Sequence, residues 1–182
     1  MTKYSFKENF FSTSTTAIDI YDEHNQAVFA LKLYYASTAQ ETFAWLGKKK
    51  HNFEITDGQD IFRVRQERSV SGKIKTPFKT VWEVEKNNEA IGTFRTKIGF
   101  KPKMIFEGVQ GDALTFQSGF ISRSVNVTND QNQTLMTTKS ERFKIASRHD
   151  IDIQSGVYNP AMLLLLFQVF YEFQEYQRSK SD

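Results

Sequence analysis

The sequence predicts a mainly β protein, a closed antiparallel β-barrel of about twelve strands with a hydrophobic C-terminal helix threaded through its centre. Three observations predict it. Short segments with period-two alternation recur along the chain, separated by polar turns, which is the pattern of half-buried strands. The stretch NPAMLLLLFQVFYEFQEYQ, beginning at Asn159, is the one convincing helix, and its first two turns are apolar on every side. Finally, so many antiparallel strands leave exposed edges unless the sheet closes, and a barrel of about twelve strands is too wide for its own side chains to fill.

Four hairpins are legible in order. Ala17–Tyr21 and Ala27–Leu33 flank the turn DEHNQ, and Asn52–Ile55 and Ile61–Arg65 flank TDGQD. Val81–Glu85 and Ile91–Lys97 flank KNNEA, and Ser124–Thr128 and Thr134–Thr138 flank NDQNQ. Asp, Asn and Gly tolerate the backbone conformations that such turns require. Further strands are expected at Tyr4–Phe11, Thr42–Leu46, Met104–Glu107, Leu114–Phe116, Gly119–Ile121 and Arg142–Ala146. In the helix, the Asn159 side chain suits the N-cap and Pro160 the first helical position. The later turns carry Gln168, Glu172, Gln174 and Glu175, as expected where a helix leaves the barrel mouth. Two rivals remain for this segment. A membrane anchor needs about 20 mostly apolar residues, and here Gln168 and Glu172 interrupt the run. A core helix on one face of a sandwich would show the same short apolar run.

The 182 residues fit one domain, residues 1–182, with strands over about 4–146 and the helix over about 160–177. The 17 Phe residues suit a barrel interior. The chain has no cysteine, which excludes disulfides, zinc–thiolate sites and thiol nucleophiles. MTKYSFKENFFSTS contains no apolar core followed by a small-residue cleavage site, so a cytoplasmic location is expected.

A net charge of +3 conceals an asymmetry. Residues 48–103 carry 14 basic and 7 acidic side chains, a net of +7, whereas the segments on either side are each at −2. The basic residues cluster as Lys48, Lys49, Lys50 and His51, as Lys73, Lys75 and Lys79, and as Lys101 and Lys103. Such a face attracts phosphates of lipid or nucleic acid, or serves simply as a solvated surface. Aromatics lie nearby at Phe53, Phe62, Phe78, Trp82 and Phe94. Alternation should turn them inward, away from the charges, which disfavours nucleic acid.

Catalytic signals are sparse. No G-x-S-x-G elbow, P-loop or G-x-G-x-x-G before a helix is present. His149, Asp150 and Asp152 stand close together in RHDID, as a polar turn before the helix or as a metal or acid–base cluster. Glu83 with Glu85, and Glu172 with Glu175, do not have the look of a paired-carboxylate site.

Tyr4–Lys32 combines an aromatic-rich strand, an alternating strand ending in a D-E turn, and the segment VFALK. Phe78–Gly108 leads from VWEVE through a turn to IGTF and FKPKM, and Gly111–Asp112 precedes the last strands and the apolar helix. In this order the chain resembles the tubby C-terminal-like superfamily, in particular bacterial members of its LURP-one-related branch. The resemblance covers nearly the whole chain and implies a twelve-stranded barrel threaded by the helix. Tubby proteins bind phosphoinositides through basic side chains and act as membrane-tethered adaptors. The related scramblases are linked to phospholipid movement. No phosphoinositide-binding residue is carried over, because none matches position by position. The resulting expectation is a non-enzymatic barrel without cofactor or metal, peripheral to the inner face of the membrane. Anionic phospholipid headgroups would meet Lys48, Lys49, Lys50, Lys73, Lys75, Lys79, Lys101 and Lys103, and a protein partner is the further possibility for an adaptor. The alternative is a small-ligand carrier or enzyme with a pocket at the barrel mouth near His149, Asp150 and Asp152.

Overall fold

In a computed structural model, twelve antiparallel strands close into a barrel around one helix. The structure describes residues 1–9, 16–33, 35, 52–67, 80–97, 102–119, 123–142, 146–154 and 156–179. The strands are β1 (Thr2–Asn9), β2 (Ile18–Asp22), β3 (Ala27–Leu33), β4 (Phe53–Thr56), β5 (Ile61–Gln66) and β6 (Val81–Lys86). They continue with β7 (Glu89–Lys97), β8 (Lys103–Gly108), β9 (Ala113–Ser118), β10 (Val125–Asn129), β11 (Thr134–Arg142) and β12 (Ala146–Ile153). The helix α1 spans Pro160–Ser179. Each strand pairs with its sequence neighbours, and β1 pairs with β12 over its whole length to shut the barrel. This meander leaves no free sheet edge.

The hairpin turns follow from their residues. Asn87 and Asn88, at φ 51° and 69°, form the two-residue connection of β6 and β7, where both central residues need positive φ. Asp22 accepts the backbone N–H groups of His24 and Gln26, and Asn129 accepts those of Gln131 and Gln133, closing two further turns. On β7, Gly92 faces Gly108 of β8, and a Cβ there would lie 2.5 Å from the Glu107 carbonyl and 2.6 Å from the Phe106 ring. The inner wall therefore needs a glycine at this point.

Alternation puts one apolar row of each strand into the lumen, including Ile20, Leu31, Ile55, Phe62, Val64 and Trp82. The helix meets this wall. Asn159 Oδ1 accepts the Ala161 N–H at 2.8 Å, the cap that the sequence predicts. Every residue from Ala161 to Tyr171 is buried, and Phe173 is the last buried one. Trp82 meets Phe173 edge-on with centroids 5.3 Å apart, and Phe6 meets Phe167 at 6.4 Å. Closure of the sheet around the helix overturns the sandwich alternative. No helix among the described residues is long and apolar enough to cross a membrane, which overturns the anchor alternative for α1.

The structure revises the reading of the later strands. Of the strand expected at Arg142–Ala146, Arg142 ends β11 and Ala146 opens β12, and residues 143–145 lie outside the described residues. The RHDID segment is not a polar turn but the middle of β12. Gly119 lies outside any strand, while the rest of the segment expected at Gly119–Ile121, and the strand expected at Thr42–Leu46, lie outside the described residues. Residues 10 and 11 of the first expected strand lie outside them as well.

Candidate functional site

The meander sorts the connections to two rims. Leu33 faces Phe53, Gln66 faces Trp82, Lys97 faces Lys103 and Ser118 faces Val125, so these strand ends share one rim. The six segments that leave and rejoin the barrel there are 10–17, 34–52, 67–80, 98–102, 119–124 and 143–145. They carry ten Lys or Arg against two Glu, a net of +8. The turns at the opposite rim, 23–26, 57–60, 87–88, 109–112 and 130–133, carry five Asp or Glu and no Lys or Arg, a net of −5. The connections attached at the two rims are therefore of opposite net charge, which the linear order does not display.

Of the eight lysines singled out by the sequence, Lys103 is described: it opens β8 at the basic rim, beside Lys97. Lys48, Lys49, Lys50, Lys73, Lys75, Lys79 and Lys101 lie outside the described residues. Their segments are all attached at this same rim.

Several cations of the barrel wall are paired with carboxylates. Arg65 bridges Glu83 and Glu85 at 2.5 and 3.0 Å, Lys86 holds Asp60 at 2.7 Å, and Arg95 holds Glu107. Glu54 lies between Lys32 at 3.0 Å and Arg63 at 2.6 Å. Burial alone would raise the Glu54 pKa, but hydrogen bonds and charge from Arg63 and Lys32 outweigh it and hold the carboxyl below the usual range. A lowered folded-state pKa stabilises above the unfolded value of about 4.3 and is lost as pH falls through the folded value. The denaturant midpoint of the wild type should therefore drop with acidification below about pH 4.3, and Glu54→Gln should flatten part of that drop. Identical pH profiles for the two proteins would contradict this.

The second candidate cluster is taken apart by β12. Alternation sends His149 into the lumen, where it is wholly buried, and sends Asp150 and Asp152 to the outer face. Asp150 pairs there with Arg148 at 3.1 Å. His149 instead meets Glu8 of β1, with Nε2 at 3.4 Å from Oε1, and its Nδ1 lies 2.8 Å from Ser140 Oγ. The Gln168 amide of α1 donates to the other Glu8 oxygen at 2.5 Å. The rings of Phe6, Phe167 and Tyr171 enclose the imidazole, with centroids 4.7, 5.3 and 4.5 Å away. Tyr171 itself is pushed up in pKa chiefly by burial, and its hydroxyl lies 3.0 Å from Ser147 Oγ.

This cluster is sealed from solvent. It ties α1 to β1 and β12. Sequence reasoning missed Glu8, although Tyr4, Phe6 and Glu8 fall on one face of an alternating strand. No group of three or more His, Cys, Asp or Glu among the described residues is placed to hold a metal ion. The aromatics of the basic third, Phe53, Phe62, Trp82 and Phe94, are buried in the wall and present no stacking platform, while Phe78 lies outside the described residues.

Comparison with known proteins agrees with this architecture. The family model described as Tubby C-terminal like domain matches residues 4–173. The match does not distinguish the LURP-one-related branch. No curated protein and no solved structure matches. With twelve strands closed around a C-terminal helix and a family match over nearly its whole length, the chain belongs to the tubby C-terminal-like family.

Proposed function

We propose that this protein is a non-enzymatic barrel that binds an anionic membrane surface, at the inner face of the membrane, through its basic rim. One observation supports the reading: the segments that carry the lysine clusters of the middle third are attached at one rim, while the turns at the other rim carry five acidic side chains and no Lys or Arg. Lys48, Lys49, Lys50, Lys73, Lys75, Lys79, Lys101 and Lys103 are the contacts. Near an anionic surface each Lys or Arg contributes about 1 kcal/mol. The opposite charge of the far rim would hold the barrel axis away from the plane of the membrane. Phosphoinositide binding by tubby proteins supports the choice of a phospholipid headgroup.

Replacing Lys48, Lys49 and Lys50 together with Ala should weaken binding to anionic vesicles by about 3 kcal/mol, roughly 100-fold. The control is Asp57 and Asp130, both replaced by Asn at the far rim, which should leave binding unchanged or slightly stronger. Equal loss from both sets would contradict a rim-specific contact. A pocket at the barrel mouth using His149, Asp150 and Asp152 finds no support, since the histidine and the two carboxylates point to opposite sides of the wall.

A further inference from the structure

The rim opposite the lysines is apolar as well as acidic. Met1, Val109 and Val157, the exposed large hydrophobics among the described residues, all lie at this end of the barrel, and are 75%, 71% and 82% exposed. Met1 precedes β1, Val109 opens the β8–β9 turn, and Val157 lies between β12 and α1. The strand order sets these positions, with the β10–β11 and β2–β3 turns, along one continuous stretch of the rim. Tyr158 joins its middle together. Burial, then the charge and hydrogen bond of Asp112 and the charge of Asp130, push the Tyr158 phenol up in pKa, so the segment before α1 lies against two neighbouring turns.

The carboxylates of this face are largely unneutralised. Asp60 is paired with Lys86, whereas Glu23, Asp57, Asp112 and Asp130 have no Lys or Arg partner among the described residues. The turns are also held in place. Asn25, Gly111 and Asn132 donate their backbone N–H groups to the carbonyls of Asp22, Gly108 and Asn129 at 3.0, 3.0 and 3.1 Å, and the Val109 N–H donates to Ile91 at 3.0 Å. A surface ordered in advance loses little entropy on docking.

Exposed apolar side chains set among unpaired carboxylates suit a partner that is basic and brings apolar surface of its own. The chain itself supplies one. The segments attached at the other rim carry a net of +8, and in sequence Trp45 and Leu46 stand beside Lys48–Lys50, and Phe100 beside Lys101.

We propose that the acidic, apolar rim docks the basic rim of a second copy of this chain, so that molecules associate head to tail. The contact is heterologous: each copy gives one rim to each of two neighbours, which builds open stacks or closed rings. Salt weakens it, because the attraction is between exposed charges. Failure of this association leaves the basic rim standing as a membrane contact, since membrane binding needs no second copy.

The test is sedimentation velocity of the full chain over a range of concentrations, at low and at high salt, on the wild type and two charge-reversed variants. The first reverses the acidic rim, Glu23→Lys with Asp130→Lys. These two side chains form no hydrogen bond among the described residues, so the fold should be kept. The second reverses the basic rim, Lys48→Glu with Lys49→Glu and Lys50→Glu. Wild-type mass should rise with concentration at low salt and return to 21.1 kDa at high salt. Each variant alone should stay monomeric. Mixed, the two should form a 1:1 complex that grows no further, because one keeps an intact basic rim and the other an intact acidic rim. Val109→Ser with Val157→Ser should weaken wild-type association about tenfold. A wild type that stays monomeric at every concentration in low salt overturns the proposal, and turns the search to a basic partner other than this chain. Variants that associate as the wild type does, or a mixture that stays monomeric, overturn it as well.

Discussion

Deletion of residues 160–182 should abolish the folded barrel. The nine residues Met162, Leu163–Leu166, Phe167, Val169, Phe170 and Phe173 are at most 9% exposed. Burying a side chain of this kind is favourable by about 1.5–3 kcal/mol, so together they contribute on the order of 15–25 kcal/mol. A domain's net stability is only about 5–15 kcal/mol. The wall would moreover be left lining an empty lumen, with Trp82, Phe94 and Phe116 facing water. The expected result is insoluble protein, or a collapsed state without a cooperative unfolding transition. A truncated chain that stayed soluble, with native-like circular dichroism and a sharp thermal transition, would contradict the threaded-barrel account.

Single substitution of the buried histidine should be strongly destabilising. His149→Ala leaves the Glu8 carboxylate in the lumen with the Gln168 amide as its remaining partner. Leaving a buried polar group without its partner costs about 1–3 kcal/mol, and the cavity left by the imidazole adds to it. Replacing the members together with apolar residues of similar volume is often neutral or stabilising. The triple variant Glu8→Leu, His149→Phe, Gln168→Leu should therefore recover most of what His149→Ala loses. Denaturant melts of the single and triple variants measure this directly. Equal loss in both would mean that packing around the imidazole, rather than the polar cluster, carries the effect.

Much of the barrel was legible because the outward residues are polar and the inward ones apolar. β3, β5, β6 and β7 show this pattern cleanly, and their predicted bounds lie within two residues of the observed ones. β12 was hidden because its inward row begins with Ser147 and His149, polar residues on the core side, so the apolar alternation starts only at Ile151. Its neighbours account for part of the exception: the Tyr171 hydroxyl lies 3.0 Å from Ser147 Oγ, Ser140 Oγ lies 2.8 Å from His149 Nδ1, and Glu8 flanks the imidazole. Glu8 and Gln168 are 160 residues apart in the chain, a pairing that no local pattern shows. The charge polarity was half legible. The lysine clusters are plain in the sequence, but the attachment of their segments at one rim, opposite turns free of Lys and Arg, follows only from the up-and-down strand order. The wall arginines, which inflated the apparent basic third, are paired across neighbouring strands.

The most direct test of the basic-rim account is sedimentation of the purified full chain with phosphatidylcholine vesicles and with vesicles containing phosphatidylglycerol, at low and at high salt. Binding to the anionic vesicles alone, weakening steeply as salt screens the lysines, is the predicted result. No binding to anionic vesicles at low salt, or equal binding to both kinds at all salt concentrations, would contradict it.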